Sequence, residues 1–170
     1  MAGTTTTLKM PYPLGTDPIS DGDDQIKALA ERIEARMPWG NLGYAQIVAA
    51  GTSPVGTPVN IAGLSVTTPT LPAGRRLLIT ARGCGINTAA SAVFTFALAE
   101  GGTAFQYAEH LTPAAVGGAA GMFISAVVMP SAGAHTYTAQ VGVNTGGTFH
   151  AAANRPAYLL VEDIGPVSLA

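Results

Sequence analysis

From residue 43 to residue 166 the chain is cut into ten short apolar runs by Gly, Pro, Ser and Asn. The runs fall at 44–50, 59–61, 64–68, 76–84, 92–99, 105–109, 122–129, 135–143, 148–152 and 157–163. None is as long as an ordinary helix, and several alternate as strands do, for example Val93, Thr95, Ala97 and Tyr137, Ala139, Val141, Val143. Turn chemistry sits between them: Ser53-Pro54, Gly101-Gly102, Asn144-Thr145-Gly146-Gly147, and the related pair Leu71-Pro72-Ala73-Gly74 and Pro130-Ser131-Ala132-Gly133. The related pair is read as one hairpin solution used twice. Eight to ten short strands at this spacing predict a mainly β domain over 43–166, an antiparallel β-sandwich of jelly-roll type.

Only one segment has helical periodicity. Residues 19–37 carry Ile19, Ile26 and Ile33 seven apart, with Leu29 between them. Isoleucine at the a positions with leucine at d forms a coiled-coil seam of about two heptads. Ser20 or Asp21 can cap the start, Asp23 and Asp24 favour the positive end of the helix dipole, and Pro38 and Gly40 end it. A helix folded onto its own domain would show the same stripe. The short seam is marginal alone, so an oligomer built on it needs energy from the β-domain as well.

Residues 1–18 are rich in Thr and Pro; Pro11, Pro13 and Pro18 favour extended backbone. Met10, Tyr12, Pro13 and Leu14 make this an apolar arm suited to lying along a partner surface, against the alternative of a frayed terminus. The predicted division is therefore an arm over 1–18, an oligomerising helix over 19–38 and a β-knob over 43–166.

Charge placement bears on assembly. Ten of the eighteen Asp, Glu, Lys and Arg residues lie before residue 40, and residues 111–154 contain none. A soluble monomer normally covers itself with charge, because bare apolar patches associate. Either the domain's flanks are buried against copies of itself, or Thr, Ser, Asn and Gly pave the exterior; the two readings are compatible. A net charge of −2 without a basic stripe argues against nucleic acid. The uncharged stretch 114–129 is too short and too glycine-rich for a membrane span, and reads as a glycine loop entering a strand.

No catalytic or cofactor constellation emerges, and a non-enzymatic role is expected. Asp21-Gly22-Asp23-Asp24 has its glycine misplaced for a calcium loop. Gly83-Cys84-Gly85 lacks the third glycine of a dinucleotide fingerprint, and Cys84 reads as a small buried hydrophobe. His110, His135 and His150 have no metal-ligand spacing, so no metal is assigned. Glu162 and Asp163 are expected to pair with Arg75, Arg76, Arg82 or Arg155 rather than to act in acid catalysis. Among the aromatics Phe105, Tyr107, Tyr137, Phe149 and Tyr158, most are expected in the core. Tyr107 and Tyr137 are the candidates for a sugar-stacking contact.

The string Met10-Pro11-Tyr12-Pro13-Leu14-Gly15-Thr16-Asp17-Pro18, followed by Asp21-Gly22-Asp23 and Ile26-Lys27-Ala28-Leu29-Ala30, resembles the start of tail-fibre-like and minor tail proteins of tailed bacteriophages, especially those of actinobacteria. The closing run from Arg155-Pro156-Ala157-Tyr158 to Ile164-Gly165-Pro166 is similar to the final strand of the same group. The resemblance covers about 45 residues at the two ends. It implies a homotrimer in the virion: Ile19, Ile26, Leu29 and Ile33 in the stalk, the segment around Tyr12 docked on other virion proteins of tail or capsid, and a knob outside. Binding of a host cell-wall glycan is the associated expectation. The chain is short for a fibre, so a capsid decoration or head-fibre protein is the alternative. A carbohydrate-active jelly-roll enzyme is disfavoured by the scarcity of acidic residues in the β-domain.

Overall fold

The computed structural model describes residues 3–4, 11–12, 19–36, 38–49, 55–88 and 92–166. Two two-residue strands, β1 (Gly3–Thr4) and β2 (Pro11–Tyr12), pair with each other ahead of the helix α1 (Ile19–Arg36). Nine strands follow: β3 (Gly40–Ile47), β4 (Val59–Thr67), β5 (Arg75–Asn87), β6 (Val93–Glu100), β7 (Thr103–Leu111), β8 (Ala119–Val128), β9 (Thr136–Val143), β10 (Gly147–His150) and β11 (Ala157–Pro166). The helix begins at Ile19, so Ser20 and Asp21 fall inside its first turn rather than at its cap.

The strands form two antiparallel sheets, β3–β11–β5–β8 and β4–β9–β6–β7. Short β10 continues the edge of β5 beyond β11, since β8 occupies the other edge of the same residues. The pairing is nested: β6 with β7, β5 with β8, β4 with β9 and β3 with β11. One long hairpin is thus rolled into a two-layer jelly roll, as the punctuation predicts. Its tip is the two-residue turn Gly101-Gly102, where both φ values are positive (55° and 88°). Glycine takes that geometry without strain, and it suits the twist of the flanking strands.

The core lies between the sheets. Leu77, Ile79, Met122, Leu159 and Val161 come from one side, and Phe94, Phe96, Leu98, Tyr137 and Val141 from the other. Each such side chain removed from water contributes on the order of 1.5–3 kcal/mol before conformational entropy is counted. The alternating set Tyr137, Ala139, Val141, Val143 faces inward, whereas Val93, Thr95 and Ala97 alternate on the opposite face of their strand from Phe94, Phe96 and Leu98. The apolar runs 59–61 and 64–68 belong to the single strand β4, which bulges around Gly63 (φ 83°).

Two expectations are corrected. The turns at 71–74 and 130–133 are not hairpins: β4 and β5 lie in different sheets, and so do β8 and β9. Both are crossovers at one end of the sandwich, and they bond to each other, Leu71 N–H to Gly133 O at 2.8 Å and Gly133 N–H to Leu71 O at 2.9 Å. Cys84 is half-buried rather than buried, because its neighbours Gly83 and Gly85 take the inward positions of β5. A Cβ on Gly83 would meet the Phe149 ring at 2.5 Å, and one on Gly85 would meet the Phe94 ring at 2.7 Å. The two glycines make room for two aromatic rings, and strand alternation turns the cysteine outward.

Candidate functional site

The helix places its seam residues unevenly. Ile26 is 63% exposed and Ile33 is 40% exposed, Leu29 is half-buried, and Gln25 is buried. The Ile19 side chain lies outside the described residues. Ile26 and Ile33 are seven apart and so share one side of the helix, and both are open to solvent there. Of the arm residues, Tyr12 falls in β2 with its side chain outside the described residues, and Met10, Pro13 and Leu14 lie outside them entirely.

The helix enters the β-domain through a buried joint. Asp163 on β11 accepts bonds from Arg75 Nε (2.9 Å) and Arg75 Nη2 with the same Oδ2 that takes the Trp39 backbone N–H at 3.2 Å, while its Oδ1 takes Gly165 N–H at 2.8 Å. The Arg75 guanidinium lies 5.3 Å from the centroid of the Trp39 ring. Both charged side chains are removed from solvent, and their mutual bonds and these backbone donors offset the lost hydration. This is the acid–arginine pairing expected from sequence. It also takes two of the β-domain's few charges out of the surface.

A second polar cluster closes the crossover end. His135 Nδ1 lies 2.5 Å from Glu100 Oε1, and Nε2 lies 2.9 Å from Ser131 O. Carboxylate and carbonyl oxygens are both acceptors, a setting that favours the ring with a proton on each nitrogen. The Glu100 carboxylate is the main cause of a pKa raised above the ordinary histidine value, with partial burial opposing it. Thr68 and His135 add reciprocal bonds, Thr68 N–H to His135 O at 2.9 Å and His135 N–H to Thr68 Oγ1 at 3.0 Å.

The other histidines stand apart from it. His110, on β7, has its pKa lowered mainly by burial, and His150 pairs across from Cys84 on β10. Among the described residues no three His, Cys, Asp or Glu side chains gather as a metal site.

The two sugar-stacking candidates separate. Tyr137 is fully buried between Phe105, 6.3 Å away edge-on, and the stacked His135 ring at 6.3 Å, so it offers no face to a ligand. Tyr107, on the edge strand β7, is 55% exposed. The inward alternation of β9, visible in the sequence, is what hides Tyr137. Phe149 is buried as expected; Phe105 is 37% exposed, and Tyr158 is half-buried and stacked on Tyr44 at 5.9 Å.

One cleft of about 360 Å³ opens where Arg82, Gly83 and Cys84 meet Ala119, Gly121 and the loop 154–156. Its charged lining residues are Arg82 and Arg155. Two guanidiniums can hold an anion, but among the described residues no carboxylate or histidine lines the cleft to move a proton.

Among the described residues no helix is long and apolar enough to cross a membrane. No protein-family model matches the sequence, and no curated protein matches it. Among solved structures, Eiger TNF from S. frugiperda is similar at 8% identity and a TM-score of 0.42, over 75% of this chain and 96% of that one. A chain of the infectious bursal disease virus Gx strain is similar at 12% identity and a TM-score of 0.36, over 74% of this chain and 37% of that one. At such identities neither protein's role transfers to this chain.

Proposed function

We propose that this chain is a non-enzymatic structural protein of a bacteriophage particle, a homotrimer in which the helices form a short stalk and the jelly rolls form a knob. The observation that carries the reading is the exposure of Ile26 and Ile33 along one side of the helix. Aliphatic side chains at heptad spacing left open to solvent along one side are what a helix bundle buries. The charge-poor β-domain and the tail-protein resemblance at the two ends of the sequence support the same reading.

The arm before the helix is the docking segment for other virion proteins. Host-cell glycan is the ligand class for the knob, with Tyr107 as the solvent-facing ring.

Light scattering of the purified protein should return three times the chain mass, and a clean monomer would defeat the reading. The double change Ile26→Asp, Ile33→Asp should lower that mass while the β-sheet circular dichroism persists. Antibody labelling of intact particles should decorate either the tail or the head, which separates an appendage from a capsid decoration. Excess free knob should block adsorption to host cells, and unaffected adsorption would remove receptor binding from the role.

A further inference from the structure

The two sheets differ at the centre of their outer faces. On β4–β9–β6–β7 the exposed apolar side chains Val59, Tyr107 and Leu111 lie on the edge strands β4 and β7, while β9 and the facing part of β4 carry hydroxyls and amides that bond among themselves. Thr67 Oγ1 lies 2.9 Å from Thr136 Oγ1, and Asn60 Oδ1 accepts from Thr138 Oγ1 at 3.2 Å and from Gln140 Nε2 at 2.9 Å. That polar centre is satisfied in water. On β3–β11–β5–β8 the outward positions include Tyr44, Leu160, Leu78, Phe123, Val127 and Met129, by alternation with the core residues Leu159, Leu77, Met122 and Ile124. Tyr44, Phe123, Val127 and Met129 are 51%, 56%, 57% and 66% exposed. Scattered apolar residues are ordinary on a surface; exposed ones on β3 and at β8, with the half-buried Leu160 and Leu78 on β11 and β5 between them, mark an interface.

We propose that this apolar sheet face is where further copies of the same chain pack. The inference rests on the self-assembly reading above and names the surface through which the β-domains meet. Three observations select a copy of this chain as the occupant. The face belongs to the sheet that the helix enters: Trp39 is pinned to Asp163 of β11 and Arg75 of β5, and β3 follows at once. Ile33 precedes Gly40 by seven residues, a tether of at most about 25 Å. Helices joined at Ile26 and Ile33 therefore hold the β3 edge of this sheet from every copy close to one axis.

The size also fits. Four strands at roughly 4.8 Å spacing, over about ten residues at roughly 3.4 Å, make a face of roughly 650 Å² in projection. Side-chain relief raises that towards the roughly 800 Å² per partner of a standard stable interface. Charge is the third point. Arg76, Arg82 and Glu162 are the charged side chains at outward positions of these strands, of mixed sign, so the face selects no strongly acidic or basic partner.

The test compares surfaces on the intact wild-type assembly by hydroxyl-radical footprinting. Met129, Tyr44 and Phe123 should label several-fold more slowly than the exposed Tyr107 on β7. Phe123→Glu with Val127→Glu should lower the light-scattering mass towards one chain with the β-sheet signal intact, and Thr67→Glu on the polar sheet should leave the mass unchanged. If the wild-type chain is multimeric but Met129 and Tyr44 label as fast as Tyr107, this interface is wrong and the assembly reading stands on the helix alone. If the wild-type chain is a monomer, both fall. Should the double variant fail to fold, the wild-type footprint decides.

Discussion

Arg75 and Asp163 are joined twice through one carboxylate oxygen in a site closed to solvent, and the same oxygen holds the backbone of Trp39, 124 residues earlier in the chain. Removing one partner takes the buried counter-charge from the other, which costs about 3–5 kcal/mol. Asp163→Ala is therefore expected to lower the urea midpoint sharply. It should also red-shift the emission of Trp39, the single tryptophan of the chain. The paired change Arg75→Met, Asp163→Leu should restore most of the loss. Equal loss in the single and double variants would show that the ion pair itself is not what holds the joint.

His135 gives the fold a dependence on pH. Its folded pKa is raised, chiefly by Glu100, above the ordinary 6.5. A raised histidine stabilises the folded state fully below the unfolded pKa, and that stability disappears as pH rises through the folded value. The contribution of this pair should thus be lost as pH rises from about 6.5 through the raised folded value, and Glu100→Gln should make the melting temperature less sensitive to pH over that segment than in the wild type. Because the Glu100 side chain is 41% exposed, solvent screening keeps the contribution below about 1 kcal/mol. An unchanged slope in Glu100→Gln would remove this pair from the account.

Gly85 touches the core with its absent side chain. A methyl group there would lie 2.7 Å from the Phe94 ring, so Gly85→Ala should cost about 1–3 kcal/mol in chemical denaturation. Combining it with Phe94→Leu should cost less than the sum of the two single changes, because the smaller side chain vacates the space.

Tyr137 buries a hydroxyl that has no hydrogen-bond partner among the described residues, and burial drives its ionisation upward. Tyr137→Phe keeps the ring contacts with Phe105 and His135 and deletes the stranded oxygen. It should leave stability unchanged or raise it by up to about 1 kcal/mol. A clear loss in thermal unfolding would mean that the hydroxyl is satisfied by water.

How much of this was legible beforehand differs by scale. Strand runs such as 135–143 were readable because alternation and turn residues are local signals, and so was the helix with its heptad spacing. What a turn residue does not reveal is the sheet to which the next strand goes. Leu71-Pro72-Ala73-Gly74 and Pro130-Ser131-Ala132-Gly133 look like hairpin turns, and their role as mutually bonded crossovers is decided by partners about sixty residues away. Cys84 and Tyr137 were misjudged for the same reason: which face of a strand is inward depends on the sheet opposite. Once the inward set of β5 and β9 is known, alternation places both residues correctly. The apolar set on the outer face of the β3–β11–β5–β8 sheet was hidden entirely, because its residues come from strands far apart in sequence. Composition recorded the shortage of charge but could not say where its consequence fell.

The nesting of the strand pairs sets an order on synthesis. β6 and β7 can zip across two glycines as soon as both leave the ribosome, whereas β3 must wait with an unpaired edge until β11, the last strand of the roll, is made. The joint that steadies the helix needs Asp163 from that same strand. Helix and β-domain are therefore locked together only after the jelly roll has closed, so a nascent chain cannot complete the joint before its last strand has paired.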